Sequence, residues 1–186
     1  MNNTPSPKKI YLAFGLGEGR IVARKFEYAA TQRGFELTSN HNEADVVIGH
    51  SAGCYTLAHL LNTKTIILIG PPTQISTTRD LMRAVSRKLR REYQELSLRE
   101  FLAKNALNAL YLVNVPRAFH LRKFTLKRRL PEQTMTLIRN QHDDFTDKLI
   151  QLHQSDGIRY LSMPGGHDDL WQNPSRYLDI LERTHD

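Results

Sequence analysis

The sequence predicts an α/β fold of three layers, in which helices cover both faces of a mostly parallel sheet of about six strands. Short apolar runs of strand length alternate along the chain with longer segments of helical periodicity. Parallel strands joined by crossover helices produce this alternation. The hydrophobic content, 40% of 186 residues, is sufficient for the core of one domain.

The elements follow one another in a simple order. The predicted strands are short and rich in apolar residues, and they are 9–14, 35–39, 45–49, 64–69, 134–138 and 158–162. The predicted helical segments place apolar residues three and four positions apart, and they are about 19–33, 52–62, 77–127, 144–154 and 174–184. Residues 40–43 have room for a single turn. We expect polar residues 1–8 to form a disordered lead-in and residues 9–186 to form one domain.

The third strand runs directly into Gly49-His50-Ser51-Ala52-Gly53. A serine between two glycines at the passage from strand to helix takes a strained turn, and the small neighbours let strand and helix pass closely. Such a turn holds the hydroxyl clear of the backbone. A plain glycine-rich turn is the alternative interpretation. The strand before and the helix after the segment favour a nucleophile elbow with Ser51 as the nucleophile.

An acid and a histidine follow Ser51 along the chain, in the order Ser, Asp, His that accompanies an elbow between strand and helix. Asp143 lies on the segment after the strand at 134–138. His167 comes behind Gly165 and Gly166, after the last strand and before the C-terminal helix. The two glycines would let the loop bring the imidazole over the serine, as general-base catalysis needs.

With these three motifs in this order, the chain resembles a small member of the α/β-hydrolase fold family over all but its N-terminal lead-in. The resemblance implies that Ser51 is the nucleophile, His167 the general base and Asp143 the orienting acid. Asp144 is the adjacent alternative for the acid. His142 has the wrong chain order for the base and is interpreted as a solvated loop residue.

The resemblance also implies an oxyanion hole made by the backbone N–H groups of Leu16 and Ala52. Relatives often carry His-Gly on the loop after the first strand. This chain has Phe14 and Gly15 there, a departure that keeps a plausible backbone geometry.

A dinucleotide site is the rival interpretation of Gly15-x-Gly17. The third glycine of that fingerprint would fall at position 20, which is Arg20. The second strand also lacks the acidic residue at its end that would bind a ribose. We therefore expect no nucleotide, no other cofactor and no metal.

The segment at about 77–130 is predicted to be a basic, cap-like helical insertion. It contains 14 Lys and Arg against 4 Asp and Glu, a local charge of +10 in a chain of net charge +7. Ser97-Leu98-Arg99-Glu100 has the capping-box pattern of a helix start. The charge indicates either a solvated helix face or an anionic partner. Nucleic acid is disfavoured because the segment has no recognised binding motif.

The prediction is a serine hydrolase that cleaves a carboxylic ester, a thioester or a related acyl bond of a small molecule through an acyl-enzyme. The alternative is a non-catalytic protein of the same fold that binds an anionic ligand or surface through its basic cap. The single cysteine, Cys54, and the absence of an apolar leader predict a cytoplasmic protein. No apolar run has the length of a membrane span.

Overall fold

The computed structural model describes residues 8–15, 20–57, 65–72, 78–102, 133–146 and 158–183. Within these residues, six strands form one sheet, and they are β1 (Lys8–Ala13), β2 (Phe35–Thr38), β3 (Val46–His50), β4 (Thr65–Ile69), β5 (Thr134–His142) and β6 (Ile158–Gly166). Their order across the sheet is β2-β1-β3-β4-β5-β6. All five neighbouring pairs are parallel. The predicted α/β class and strand number are therefore confirmed.

The helices with both ends in the described residues are α1 (Arg20–Gln32), α2 (Gly53–Leu57), α3 (Thr78–Glu95), α4 (Asp169–Gln172) and α5 (Pro174–Arg183). A further helix begins at residue 98. A single turn of 3₁₀-helix at His41–Glu43 occupies the predicted short connection. None of the helices in the described part of the chain is long and apolar enough to cross a membrane. The predicted helical residues 58–62 and 103–127, and 147–154 of the next helix, lie outside the described residues.

Apolar side chains pack on both faces of the sheet, which is why the fold has three layers. One core joins strand residues such as Ile10 and Ile48 to Phe26 of α1 and Leu178 of α5. The opposite core joins Val47, Ile66 and Leu137 to Cys54 and Leu57 of α2. Every residue of β3 and β4 is buried, as expected for the centre of a parallel sheet.

Gly53 is required by the close approach of α2 to β1. A Cβ atom at this position would lie 2.0 Å from the carbonyl oxygen of Ala13, far inside van der Waals contact. The second glycine of the elbow therefore allows the helix to begin against the neighbouring strand. Cys54, the next residue, is buried and not part of a disulfide, and its thiol contacts the carbonyl oxygen of Gly49 at 3.2 Å.

The last two strands are longer than predicted. Their extensions pair with each other, with Asn140 opposite Met163 and His142 opposite Gly166 across an irregularity in register. Strand β6 thus includes Gly165 and Gly166, which the sequence pattern assigned to a loop, and Gly166 pairs with His142. His142 is exposed, but it is the last residue of β5 instead of a loop residue.

Two smaller features concern the turns. Residues 144–146 form bends after β5, so the predicted helix does not begin at Asp144.

The capping box is present: Ser97 N–H donates to Glu100 Oε2 at 3.0 Å, and Glu100 N–H donates to Ser97 Oγ at 3.4 Å. The sequence therefore located this helix start correctly.

Candidate active site

Ser51 lies in the tight turn between β3 and α2, at the carboxyl end of the central strand. Its φ of 53° is the one positive value among the non-glycine residues that the structure describes. A side chain in this left-handed conformation costs roughly 1–3 kcal/mol. The turn is held in place because Ser51 N–H donates to the carbonyl of Ile69 at 2.9 Å, and Cys54 N–H donates to the carbonyl of Ser51 at 3.1 Å.

His167 and Asp143 meet at the carboxyl ends of β6 and β5. Nδ1 of His167 lies 2.9 Å from Oδ1 of Asp143, and both side chains are buried. Asp143 also accepts from the N–H of Phe145 at 2.8 Å and from the hydroxyl of Thr146 at 2.9 Å. These donors orient the carboxylate toward the imidazole.

Asp143 is held as a carboxylate by its surroundings. Burial alone would raise its pKa, but the charge and hydrogen bond of His167 act in the opposite direction. The N–H of Phe145 and the hydroxyl of Thr146 add to this effect, so the pKa of Asp143 lies well below its usual range. An ionised acid on Nδ1 fixes the imidazole tautomer that leaves Nε2 able to accept a proton.

Of the other predicted site residues in the described part of the chain, none joins the hydrogen bond between His167 and Asp143. Asp144 does not bind His167; its Oδ2 lies 2.9 Å from Nη1 of Arg91 on α3. Ala52 follows Ser51 at the beginning of α2, whereas Leu16 lies outside the described residues. In the described part of the chain, no hydrogen bond joins the Ser51 hydroxyl to His167. Such contacts are often long before substrate binds.

Gly70 is a site residue that the sequence analysis missed. It follows β4, has a φ of 56°, and a Cβ atom there would lie 2.7 Å from Oδ2 of Asp143 and 3.2 Å from Nδ1 of His167. The acid–base pair therefore occupies the space of a missing side chain. A glycine followed by Pro71 and Pro72 at the end of a buried strand was the available signal.

His50 was also missed, although it is part of the elbow motif. It is 1% exposed, and its Nε2–H donates to the backbone carbonyl of His167 at 2.7 Å. Its ring centroid lies 4.9 Å from that of His167 and 5.2 Å from that of Trp171. The residue before Ser51 thus links the elbow directly to the backbone of the histidine. Trp171 is buried beside it.

A buried network, consisting of Asn140, Tyr177 and Asp169, supports the loop of His167 from the α5 side. Asn140 Nδ2 donates to the carbonyl of Gly166 at 2.8 Å. The hydroxyl of Tyr177 lies 2.9 Å from Oδ1 of Asn140 and 3.1 Å from Oδ2 of Asp169. Burial and the charge of Asp169 raise the pKa of Tyr177, so its hydroxyl stays a donor.

No group of three or more His, Cys, Asp or Glu side chains in the described ranges is arranged to hold a metal.

Comparisons with known proteins identify the fold. No family model and no curated protein matches the chain. The enol-lactonase from Burkholderia xenovorans LB400 is similar in structure, with a TM-score of 0.62 and 14% identity; the match covers 98% of this chain and 92% of that one. The type II thioesterase BorB from the borrelidin biosynthetic cluster has a TM-score of 0.61 and 12% identity, covering 96% and 91%.

Carboxylesterase CesB from Bacillus subtilis gives a TM-score of 0.61 at 13% identity, and the match covers 94% of this chain and 82% of that one. Similar topology over nearly the whole chain at this level of identity shows a shared fold. The chain has the α/β-hydrolase fold, as the resemblance of its motifs implied.

Proposed function

We propose that the chain is a serine hydrolase that cleaves an ester, a thioester or a related acyl bond of a small molecule. The observation that carries the proposal is the buried hydrogen bond between His167 and Asp143, at the same end of the sheet as Ser51. The end of β4 connects the Ser51 turn to this pair. Ser51 N–H donates to the carbonyl of Ile69, and the next residue, Gly70, packs against Asp143 and His167. The strained φ of Ser51 is typical of a nucleophile elbow.

Each residue has one task in the proposed reaction. The Ser51 oxygen attacks the acyl carbon while Nε2 of His167 takes the hydroxyl proton, and Asp143 stabilises the resulting imidazolium. The N–H groups of Ala52 and Leu16 stabilise the oxyanion. The leaving group departs with the proton from His167. A water molecule then attacks the acyl carbon of the acyl-enzyme and loses a proton to His167. As the acid product leaves, His167 gives that proton to the Ser51 oxygen, which restores the hydroxyl.

The structural neighbours support the proposed substrate class. A lactonase, a thioesterase and a carboxylesterase all hydrolyse an acyl bond to oxygen or sulfur. This shared chemistry supports an acyl substrate.

Labelling with a fluorophosphonate tests the proposal without knowledge of the substrate. The probe requires an activated serine, so the wild-type protein should be labelled, and Ser51→Ala should not. Asp143→Asn should react orders of magnitude more slowly because the histidine loses its orienting acid. Ser175→Ala, at an exposed position of α5, is the matched control and should be labelled like the wild type. Labelling that persists in Ser51→Ala would remove Ser51 from the mechanism.

A second candidate function is the binding of an anionic ligand through α3. Arg79, Arg83 and Arg90 are exposed on this helix, and they line an open groove of about 510 Å³ together with Met82, Ser86 and Arg87. The stripe of positive charge favours an anionic partner. Reversal of charge at Arg79, Arg83 and Arg90 should weaken binding of an anionic ester and spare a neutral one. An equal effect on both ligands would leave these arginines as a solvated helix face.

A further inference from the structure

Each member of the acid–base pair is followed directly by an aspartate that binds helix α3. Asp144 follows Asp143, and Asp168 follows His167. His167 and Asp143 bind each other, whereas Asp168 and Asp144, the residues that follow them, bind α3. This arrangement ties two separate loops, after β5 and after β6, to one helix.

The two ion pairs come from neighbouring turns of α3. Nζ of Lys88 lies 2.7 Å from Oδ2 of Asp168, and Nη1 of Arg91 lies 2.9 Å from Oδ2 of Asp144. Residues three apart lie on the same face of a helix. One rigid surface thus sets the distance between the two loops. We call these two pairs the α3 clamp.

Further contacts hold the same helix against the acid-bearing loop. Nη2 of Arg87 donates to the backbone carbonyl of Asp144 at 3.2 Å. Ala84 and Val85 pack against Phe145, whose ring centroid lies 4.4 Å from that of His167. Helix α3 therefore packs on Phe145, which packs on His167, so a movement of α3 would displace the imidazole.

Burial distinguishes the clamp from ordinary surface pairs. The side chains of Lys88 and Asp168 are 15% and 23% exposed, and those of Arg91 and Asp144 are 27% and 19% exposed. In contrast, the surface pair of Lys9 with Glu43 is 37% and 55% exposed. Partly buried pairs are screened less by solvent and salt, so they restrict their partners more strongly.

Asp168, the clamp's partner of Lys88, stays ionised over the ordinary pH range. Burial alone would raise the pKa of Asp168, but the charges of Lys88, His167 and His50 and the hydrogen bond from Lys88 lower it to about 2. The carboxylate is therefore ionised wherever a histidine base is active.

We propose that Lys88 and Arg91 are positioning residues that hold His167 and Asp143 in register by anchoring the aspartate after each. The inference rests on the proposed function, because it assigns the clamp to the same acid–base pair. It also gives an intramolecular role to part of the basic cluster that the sequence forms at 87–91, Arg87-Lys88-Leu89-Arg90-Arg91. Displacement of a catalytic group by about 1 Å can cost a hundredfold in rate, so small shifts of these loops matter.

The test compares Lys88→Met and Arg91→Met with the wild type on a neutral activated ester, nitrophenyl acetate. Methionine keeps an apolar stem and removes the charge. We expect kcat per active site, titrated with a fluorophosphonate, to fall about tenfold to a hundredfold while KM changes less than about twofold. Lys25→Met and Arg24→Met remove exposed charges from α1 and serve as matched controls with unchanged kcat.

Rescue separates positioning from a general structural effect. Lys88→Arg and Arg91→Lys keep the charge and should retain most of kcat. The reversed pair, Lys88→Asp with Asp168→Lys, should recover at least part of the activity that Lys88→Met loses. If the reversed pair does not fold, the charge-conserving variants carry the comparison. Loss of kcat in both the methionine and the charge-conserving variants would overturn the proposal.

A spectroscopic readout makes this test independent of turnover. The proton between His167 Nδ1 and Asp143 should give a downfield NMR signal in the wild type. Lys88→Met should broaden or shift that signal at temperatures far below its Tm, and Lys88→Arg should restore it. Full kcat and an unchanged signal in both methionine variants would overturn the clamp and leave the hydrolase intact. A wild type that shows the signal but neither turnover nor labelling would instead overturn the proposed function.

Discussion

Two regions of the molecule support the same histidine loop by different physical means. On the α5 side, the buried network of Asn140, Tyr177 and Asp169 is made of hydrogen bonds in the protein interior. On the opposite side, the α3 clamp is made of ion pairs that water partly reaches. The hydrogen bonds of the buried network are little affected by salt, whereas the ion pairs of the clamp are weakened by it. We therefore expect that a substitution in one of these regions can make the His167 loop more mobile while the contacts of the other region remain.

Asn140→Ala should have the largest effect on stability, because it removes the central member of the buried network. The carbonyl of Gly166 and the hydroxyl of Tyr177 would each lose a partner. We expect the free energy of unfolding to fall by about 2–4 kcal/mol. Urea unfolding measures this change, and Asn42→Ala, at an exposed turn position, is the control. A loss below about 0.5 kcal/mol would show that the network does not support the loop.

Tyr177→Phe tests the same side with a smaller change. Only the hydroxyl is lost, and Asn140 and Asp169 keep their other bonds, to Gly166, Asn173 and Arg176. The expected cost is about 1–2 kcal/mol in the free energy of unfolding. Tyr28→Phe, at a tyrosine that is 70% exposed, should be neutral. The cost should be the same at 0.1 M and 1 M NaCl. A strong salt dependence would contradict the expected difference between the buried network and the clamp.

Lys88→Met provides the matching experiment on the clamp side. We expect a cost of about 1 kcal/mol at 0.1 M NaCl, since the pair is only partly buried. At 1 M NaCl the screening length falls to about 3 Å, so the cost should shrink. Unfolding in urea at both salt concentrations measures the difference. A cost that salt does not change would place the clamp in the same physical class as the buried network.

The last prediction concerns how acid changes the contribution of Asp168 to stability. The pKa of Asp168 is lowered from 3.8 to about 2 in the folded protein, so this carboxylate contributes stability that is complete above about pH 4. The contribution is lost as pH falls toward about 2. The difference in free energy of unfolding between wild type and Asp168→Asn should therefore shrink over that window. A difference that stays constant from pH 5 to about pH 2 would contradict the assignment.

Much of the fold could be predicted from sequence because its determinants are local. Apolar runs such as 65–69 and the periodicity of α1 specify their own structure. The paired extensions of β5 and β6 could not be predicted, since their stability comes from each other. Gly165 and Gly166 have weak strand preferences, and only the neighbouring strand makes them part of the sheet.

The candidate site divides in the same way. Ser51, Asp143 and His167 stand in motifs with a recognisable chain order, so their positions were predicted. The contacts that support them join residues far apart in sequence, such as Asn140 to Tyr177 and Lys88 to Asp168. No local pattern encodes such pairs. The basic cluster at 87–91 was visible, but its aspartate partners were not.

The position of Cys54 gives the elbow a built-in chemical reporter. The chain has one cysteine, and its thiol is fully buried at the start of α2, against the carbonyl oxygen of Gly49 in the elbow. A thiol reagent can reach it only when α2 separates from the sheet, so the rate of alkylation reports the free energy of that local opening. The same measurement on Gly70 or clamp variants would show whether damage at the loops spreads to the nucleophile turn or stops before it.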